Sequence, residues 1–403
     1  MKLLMIGESP LERVGAEYYA REPWIRIPQH LAAHCEQVTV WAPVIVREPG
    51  QPPSPENWRI APGSFRVSEN DNYSSFRGYY QLWPRRVWAW RRKADCLLEE
   101  HDAVLIRVPS PMLSLVVARA RRRNRPVILF VVGDSATQSD QLIASRGLAR
   151  LAYRLLVRAI LQQELKAGRR AAAVYAYSGE IAQRHRRYRD TVKVMQDPHL
   201  SLKDFICRAD TCQSDEVRLL RLCWLIPSKG IECLLDAVAL LLRRGIRARL
   251  EVVGKERQSG YQEQLEQLAR DLGIRERVHF ESWVPYDRLG EVYARNDIQV
   301  VSSLAEGTPR CIIEGFARGL PLVCTAVGGC ADTLSHGRDA LLVPPRDPEA
   351  LAGAVERMVR DAALRQRLIE EGYERARAVT FEHIGRQLVA EIEAVVDGRA
   401  AGR

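Results

Sequence analysis

The feature that most constrains this 403-residue chain is an alternation: short apolar runs, each followed by a segment with helical spacing, recur along most of its length. In the first half the runs are 3–6, 38–42, 104–107, 127–132, 173–177 and 192–195. Continuously apolar runs of this size fit strands buried on both faces, and helices between them imply parallel pairing. A second series follows at 219–226, 249–253, 278–281, 298–302, 322–325 and 341–343, with helical patterns at 231–243, 260–272, 286–295, 311–318 and 348–378. Each series is enough for one doubly wound α/β sheet. The expected divisions are a first domain over 1–200, a linker over 201–215, a second domain over 216–380 and a terminal helical segment over 381–403. Residues 47–75, rich in Pro, Asn and Ser, read as a long loop.

Composition narrows the setting. Hydrophobic residues make up 46% of the chain, ample for buried cores. No apolar run reaches the ~18–20 residues of a membrane span. The start, Met1-Lys2-Leu3-Leu4-Met5-Ile6-Gly7-Glu8, reads as a buried strand rather than a signal peptide. The nine cysteines are odd in number and lack Cys-x-x-Cys spacing, so neither disulfides nor zinc are expected, and a cytoplasmic location fits. Charge is unevenly divided: residues 1–200 carry a net +12 and residues 201–403 a net −2, so an anionic partner is expected on the first half.

The most informative stretch is 303–315, Ser-Leu-Ala-Glu-Gly-Thr-Pro-Arg-Cys-Ile-Ile-Glu-Gly. It follows a strand-like run, breaks at Gly307-Thr308-Pro309, and continues as a helix through Cys311 and Glu314. Unpaired N–H groups and the positive end of the helix dipole suit a phosphate or a polarised sugar. Glu306, on the loop, and Glu314, in the helix, can accept hydrogen bonds from hydroxyls. Taken alone, two glutamates at this spacing are commonplace. Pro227-Ser228-Lys229-Gly230 likewise joins a strand to a helix and puts Lys229 where a diphosphate could sit.

Further along come Gly319-Leu320-Pro321-Leu322-Val323, Val327-Gly328-Gly329-Cys330-Ala331-Asp332 and Leu341-Leu342-Val343-Pro344-Pro345. With these segments the chain resembles the family 4 retaining glycosyltransferases, closely over about 219–379 and more loosely before that. The resemblance implies the GT-B architecture, two Rossmann-like doubly wound parallel-sheet domains facing a cleft, with the last helix, here about 381–396, returning to the first domain. It implies that Glu314 binds ribose hydroxyls and that Glu306, with the N–H groups of Gly307, Thr308, Pro309's neighbourhood, Arg310 and Cys311, binds the transferred sugar. Gly254 is implied to let backbone approach the nucleotide, Trp283 and Val284 to lie against the base, and Gly15, in Val14-Gly15-Ala16-Glu17, to face the donor phosphate.

Three positions depart from the family pattern. Trp224 stands where a second diphosphate cation is expected; losing one charged hydrogen bond weakens binding by roughly tenfold to a hundredfold. Arg310 is a candidate replacement or a solvated side chain. Gly133 replaces a histidine beside the transferred sugar, and Asp134 next to it either takes part of that role or caps a helix. The third is the loss of the first glycine ahead of Gly15.

Two basic stretches remain. Residues 82–93 interleave Trp83, Trp88 and Trp90 with five cations, and Arg146, Arg150, Arg154 and Arg158 line one helical face. These features suit an anionic membrane surface, on the inner face of which the protein would be peripheral, ahead of nucleic acid. The expectation is therefore a retaining glycosyltransferase that takes a UDP-sugar, with no cofactor and no metal, and serves a glycan or lipid-linked acceptor in surface polysaccharide or glycolipid synthesis. A nucleotide-sugar epimerase or hydrolase, and a degenerate scaffold subunit, stay open as alternatives.

Overall fold

A computed structural model describes residues 1–7, 10–20, 26–48, 51–54, 57–71, 76–132, 148–177, 179–189, 191–195, 198, 200–307 and 309–400. It divides into two compact units, Met1–His199 with Phe381–Arg403, and Leu200–Thr380.

In the first unit the strands are β1 (Lys2–Ile6), β2 (Leu11–Val14), β3 (Glu17–Ala20), β4 (Gln37–Val46), β5 (Trp58–Arg59), β6 (Arg66–Asn70), β7 (Ala103–Val108), β8 (Val127–Val131), β9 (Ala173–Ala176) and β10 (Lys193–Val194). Their order is β10-β9-β8-β7-β1-β4-β2-β3-β5, with β6 also on β4. The central strands pair in parallel, Leu3 with Val38 on one side and with Ala103 on the other. Their apolar faces form two cores, one on each side of the sheet. The helix Phe381–Ala400 belongs to the second of these, where Phe381, Ile384, Leu388 and Ile392 pack with Leu3 and Val38. Two strands lie inside the stretch expected as a loop, β5 and β6. β6 is Arg-Val-Ser-Glu-Asn, with no apolar run to announce it, and is a strand because β4 offers it a parallel ladder from Thr39 to Pro43.

The second unit has β11 (Val217–Leu222), β12 (Ala248–Val253), β13 (Val278–Glu281), β14 (Ile298–Val301), β15 (Leu322–Thr325) and β16 (Leu341–Val343). All pair in parallel in the order β13-β12-β11-β14-β15-β16. The chain thus leaves β11 in one direction and returns to begin β14 on its other side. Loops at the carboxyl ends of these two strands flank the point where strand order reverses, which is where open α/β sheets bind ligands. Residues 201–215, expected as a linker, pack onto this unit. Arg208 donates to the carbonyls of Asn296 and Tyr293 at 2.7 and 2.6 Å, and Arg365 holds Asp210 through two 2.8 Å bonds. The helical pattern at 348–378 is two helices, Pro348–Arg360 and Ala362–Arg377. Asp361 breaks it, adopting an extended backbone and capping the second helix by accepting from Leu364 N at 2.9 Å.

Candidate functional site

β11 ends at Leu222, and the loop beyond it carries Trp224 and Lys229 before the helix Ile231–Arg243 begins. β14 ends at Val301, and its loop carries Ser303 and Glu306 before the helix Arg310–Ala317. These adjacent loops are stitched together. Leu304 N donates to Ser228 O at 2.8 Å, and Ser302 Oγ to Lys229 O at 3.1 Å.

Between them sits an ion pair. Lys229 Nζ donates to Glu306 Oε1 at 2.7 Å, with the side chains only 16% and 10% exposed. Ser303 Oγ donates to the same oxygen at 2.6 Å. From the short helix Gly328–Thr333 that follows β15, Gly329 N donates to Glu306 O at 3.2 Å. That approach needs a glycine next door: a Cβ on Gly328, at φ +46°, would stand 2.1 Å from Glu306 O.

Below the pair lies Arg221, which the sequence reading passed over as part of a strand. It is fully buried, donates through one terminal nitrogen to Ser303 Oγ at 2.6 Å and to Lys229 O at 3.3 Å, and places that nitrogen 4.0 Å from Glu306 Oε1. Its signal was legible: a single cation inside the apolar run Leu219-Leu220-Arg221-Leu222. A buried charge needs a partner, and the partners are on this site.

Glu314 is the fifth residue of the helix Arg310–Ala317 and is almost buried. Tyr293 Oη donates to its Oε2 at 3.0 Å. Burial, and then the Glu314 charge, push the Tyr293 hydroxyl well above its usual pKa, so it stays a donor at neutral pH. Gly307 and Arg310 are exposed and Pro309 half-buried at the entrance to that helix. The Cys311 thiol is buried, and burial pushes its pKa up to about 12, so it is not a thiolate.

The remaining expected residues lie as follows. Gly254 directly follows β12, at φ +151°, and a Cβ there would stand 1.8 Å from Cys223 O. The close approach of two chain segments therefore already requires a glycine. Val284 packs beside the cluster of Leu220, Val253, Val292, Tyr293 and Leu320, so it faces core. Trp283 is 40% exposed, with Lys255 Nζ 5.3 Å from its ring centroid. Trp224 is 41% exposed, and the Arg257 guanidinium lies 3.8 Å from its ring centroid. Gly15 is at the exposed two-residue turn of the β2–β3 hairpin, at φ +60°, with Val14 paired to Glu17. Gly133, Asp134, Thr308 and Arg146 lie outside the described residues, as do the side chains of Arg150 and Arg154. Arg158 is exposed.

Of the three tryptophans on the helix Phe76–Glu100, only Trp88 projects, at 75% exposure, with Arg91 at 5.1 Å from its ring centroid. Trp90 is buried and donates to Asp71 Oδ2 at 2.7 Å, and Trp83 packs against the core. The helical period, which turns Trp83 and Trp90 seven residues apart onto one face, accounts for this.

Among the described residues, one group of side chains could hold a metal ion: Glu251, His279 and Glu281. Arg295 already pairs with both carboxylates, and Asn296 donates to Glu251 at 2.6 Å. A recess of about 850 Å³ opens beside them, along β13, and is lined by none of the residues around Lys229 and Glu306.

Residues 213–375 match the family model for glycosyl transferases group 1. The chain is 33% identical to a mannosylfructose-phosphate synthase of Agrobacterium fabrum, over 42% of this chain and 38% of that protein. It is 36% identical to the lipopolysaccharide core biosynthesis glycosyltransferase LpsE of Rhizobium meliloti, over 37% of this chain and 41% of that one. The matched stretch thus spans about two fifths of these relatives' length. Among solved structures, Anabaena HepE in complex with UDP aligns over 98% of this chain and 100% of its own, with a TM-score of 0.67 at 17% identity. Two α/β units of this topology, matched over 98% of the chain at that level, are the GT-B fold. Residues 213–375, the stretch similar to glycosyl transferases group 1, hold Lys229, Glu306 and Glu314.

Proposed function

We propose that the protein is a retaining glycosyltransferase that moves a sugar from a nucleotide-diphosphate sugar, a UDP-sugar in the first instance, to a hydroxyl acceptor. The observation that carries this reading is the Lys229–Glu306 pair, a 2.7 Å contact between the two loops at the point of strand reversal and beside a helix start. Lys229 meets the diphosphate, Glu306 and the N–H groups from Gly307 to Cys311 meet the sugar, and Glu314, oriented by Tyr293, accepts from ribose hydroxyls. In the transfer step the bond from the anomeric carbon to the diphosphate oxygen breaks. A bond to the acceptor oxygen forms on the same face, and the acceptor's proton passes to the leaving phosphate. Lys229 stabilises the charge that grows on that phosphate. No metal or other cofactor enters this scheme.

The second diphosphate cation, absent at Trp224, is supplied by Arg257. Its guanidinium rests on the Trp224 ring, and such stacking holds a cation in place without neutralising it. This assignment replaces Arg310 in that role. Trp224 also supports a second reading, in which the site has lost nucleotide affinity and the chain is a scaffold subunit. Asp134 remains a proposed contact to the transferred sugar. The acceptor, a glycan or a lipid-linked sugar of surface polysaccharide synthesis, is assigned to the basic first unit, which also suits an anionic membrane surface at the inner face of the membrane through Trp88 and its neighbouring arginines.

Calorimetric titration with UDP and GDP decides between the readings. One nucleotide is expected to bind the wild type, Lys229→Ala to weaken it by about tenfold or more, and Glu306→Gln to abolish most turnover with the matching sugar nucleotide. A wild type that binds neither nucleotide at millimolar concentration supports the scaffold, and full turnover in Glu306→Gln removes the sugar role.

A further inference from the structure

We infer that Arg221 is a positioning residue of this site, one that keeps Glu306 neutralised and in place when Lys229 turns from it to an anionic ligand. The inference rests on the reading of the site given above.

As the site stands, Glu306 Oε1 receives Lys229 Nζ at 2.7 Å and Ser303 Oγ at 2.6 Å. A lysine engaged in this way is not available to a diphosphate. If it leaves, a carboxylate with 10% exposure remains beside the incoming negative charge, and an unpaired anion there is costly. Arg221 removes that difficulty. Its guanidinium is fixed from two sides, by Ser303 Oγ at 2.6 Å and Lys229 O at 3.3 Å, and the nitrogen that makes both bonds lies 4.0 Å from Glu306 Oε1. Ser303 Oγ joins the two, accepting from Arg221 and donating to Glu306. The guanidinium has capacity in reserve, since its buried Nε has no hydrogen-bond partner among the described residues. A fully buried cation on a strand would otherwise be a liability to the fold; here two cations share one carboxylate, and one of them has a rigid backbone seat while the other is on a flexible stem. The division of labour follows from that difference: arginine stays and lysine moves.

A double-mutant cycle on the full chain tests this, with the nucleoside diphosphate that binds the wild type, UDP or GDP, as the probe. Arg221→Met is expected to weaken binding by about tenfold or more, the range of a lost charged contact. In a Glu306→Gln background, where no carboxylate needs holding, the same substitution is expected to cost less than about threefold. A loss of equal size in both backgrounds, or no loss in the first, overturns the assignment. Should Arg221→Met fail to fold, Ser303→Ala breaks the bridge alone, and its effect must likewise vanish with Glu306→Gln. A wild type that binds neither nucleotide brings down the reading of the whole site, whereas a binding wild type with an additive cycle brings down only the role of Arg221.

Discussion

Gly254 illustrates how a residue's reason can differ from the one its neighbourhood suggests. Its place after a strand fits backbone approach to a nucleotide, yet a Cβ there would meet Cys223 O at 1.8 Å with φ at +151°. Backbone cannot yield as a side-chain tip can. Gly254→Ala is therefore expected to destabilise the second unit by more than about 2 kcal/mol, read as a lower urea midpoint. A change below about 0.5 kcal/mol would show that the strand ends separate easily. The same scale explains Arg221. A charge in an apolar run says only that something must satisfy it; that the partners are Ser303 and Glu306, some eighty residues on, is a fact of the fold. Trp224 and Arg257 pair in the same way across two loops, and no local pattern joins them.

At the scale of elements, the apolar runs located the central parallel strands well, because strands buried on both faces have few other compositions open to them. The edge was harder. β2 carries Glu12, nearly buried, whose carboxylate accepts from Arg47 at 2.6 Å, Ser54 Oγ at 2.8 Å and Ser54 N at 3.1 Å. Burial works against its ionisation, but these donors hold its carboxyl down to about 2. A folded-state value below the unfolded one stabilises the fold above the unfolded pKa, and that contribution disappears as pH falls from about 4.5 towards about 2. Glu12→Gln is expected to cost roughly 2 kcal/mol at neutral pH. The gap between variant and wild type, followed by urea denaturation, should close over the same acid range; a gap independent of pH would mean that packing, not charge, is what Glu12 contributes.

For the whole molecule the dominant feature is charge division, +12 on residues 1–200 against −2 on the rest. Trp88, 75% exposed on the helix Phe76–Glu100, gives that excess an apolar contact. Co-sedimentation with phosphatidylglycerol-containing vesicles is expected at low ionic strength and to fall steeply as salt shortens the Debye length below about 8 Å. Trp88→Ser should weaken it severalfold. Equal binding to neutral vesicles, or none to anionic ones, would rule out this use of the basic unit.

What the sequence determined by itself was the class of fold and the candidates for the site. Burial on both faces dictates the apolar runs, and a helix start next to a strand end dictates where Lys229, Glu306 and Glu314 can be. Tertiary structure alone decided which cations and hydroxyls surround them. Arg221 meets Ser303, on Glu306's own loop, from a strand some eighty residues earlier, Tyr293 reaches Glu314 from the helix Leu289–Ala294, and β6 is a strand only because β4 pairs with it. Periodicity records which face of an element is buried; it carries no record of what lies against that face.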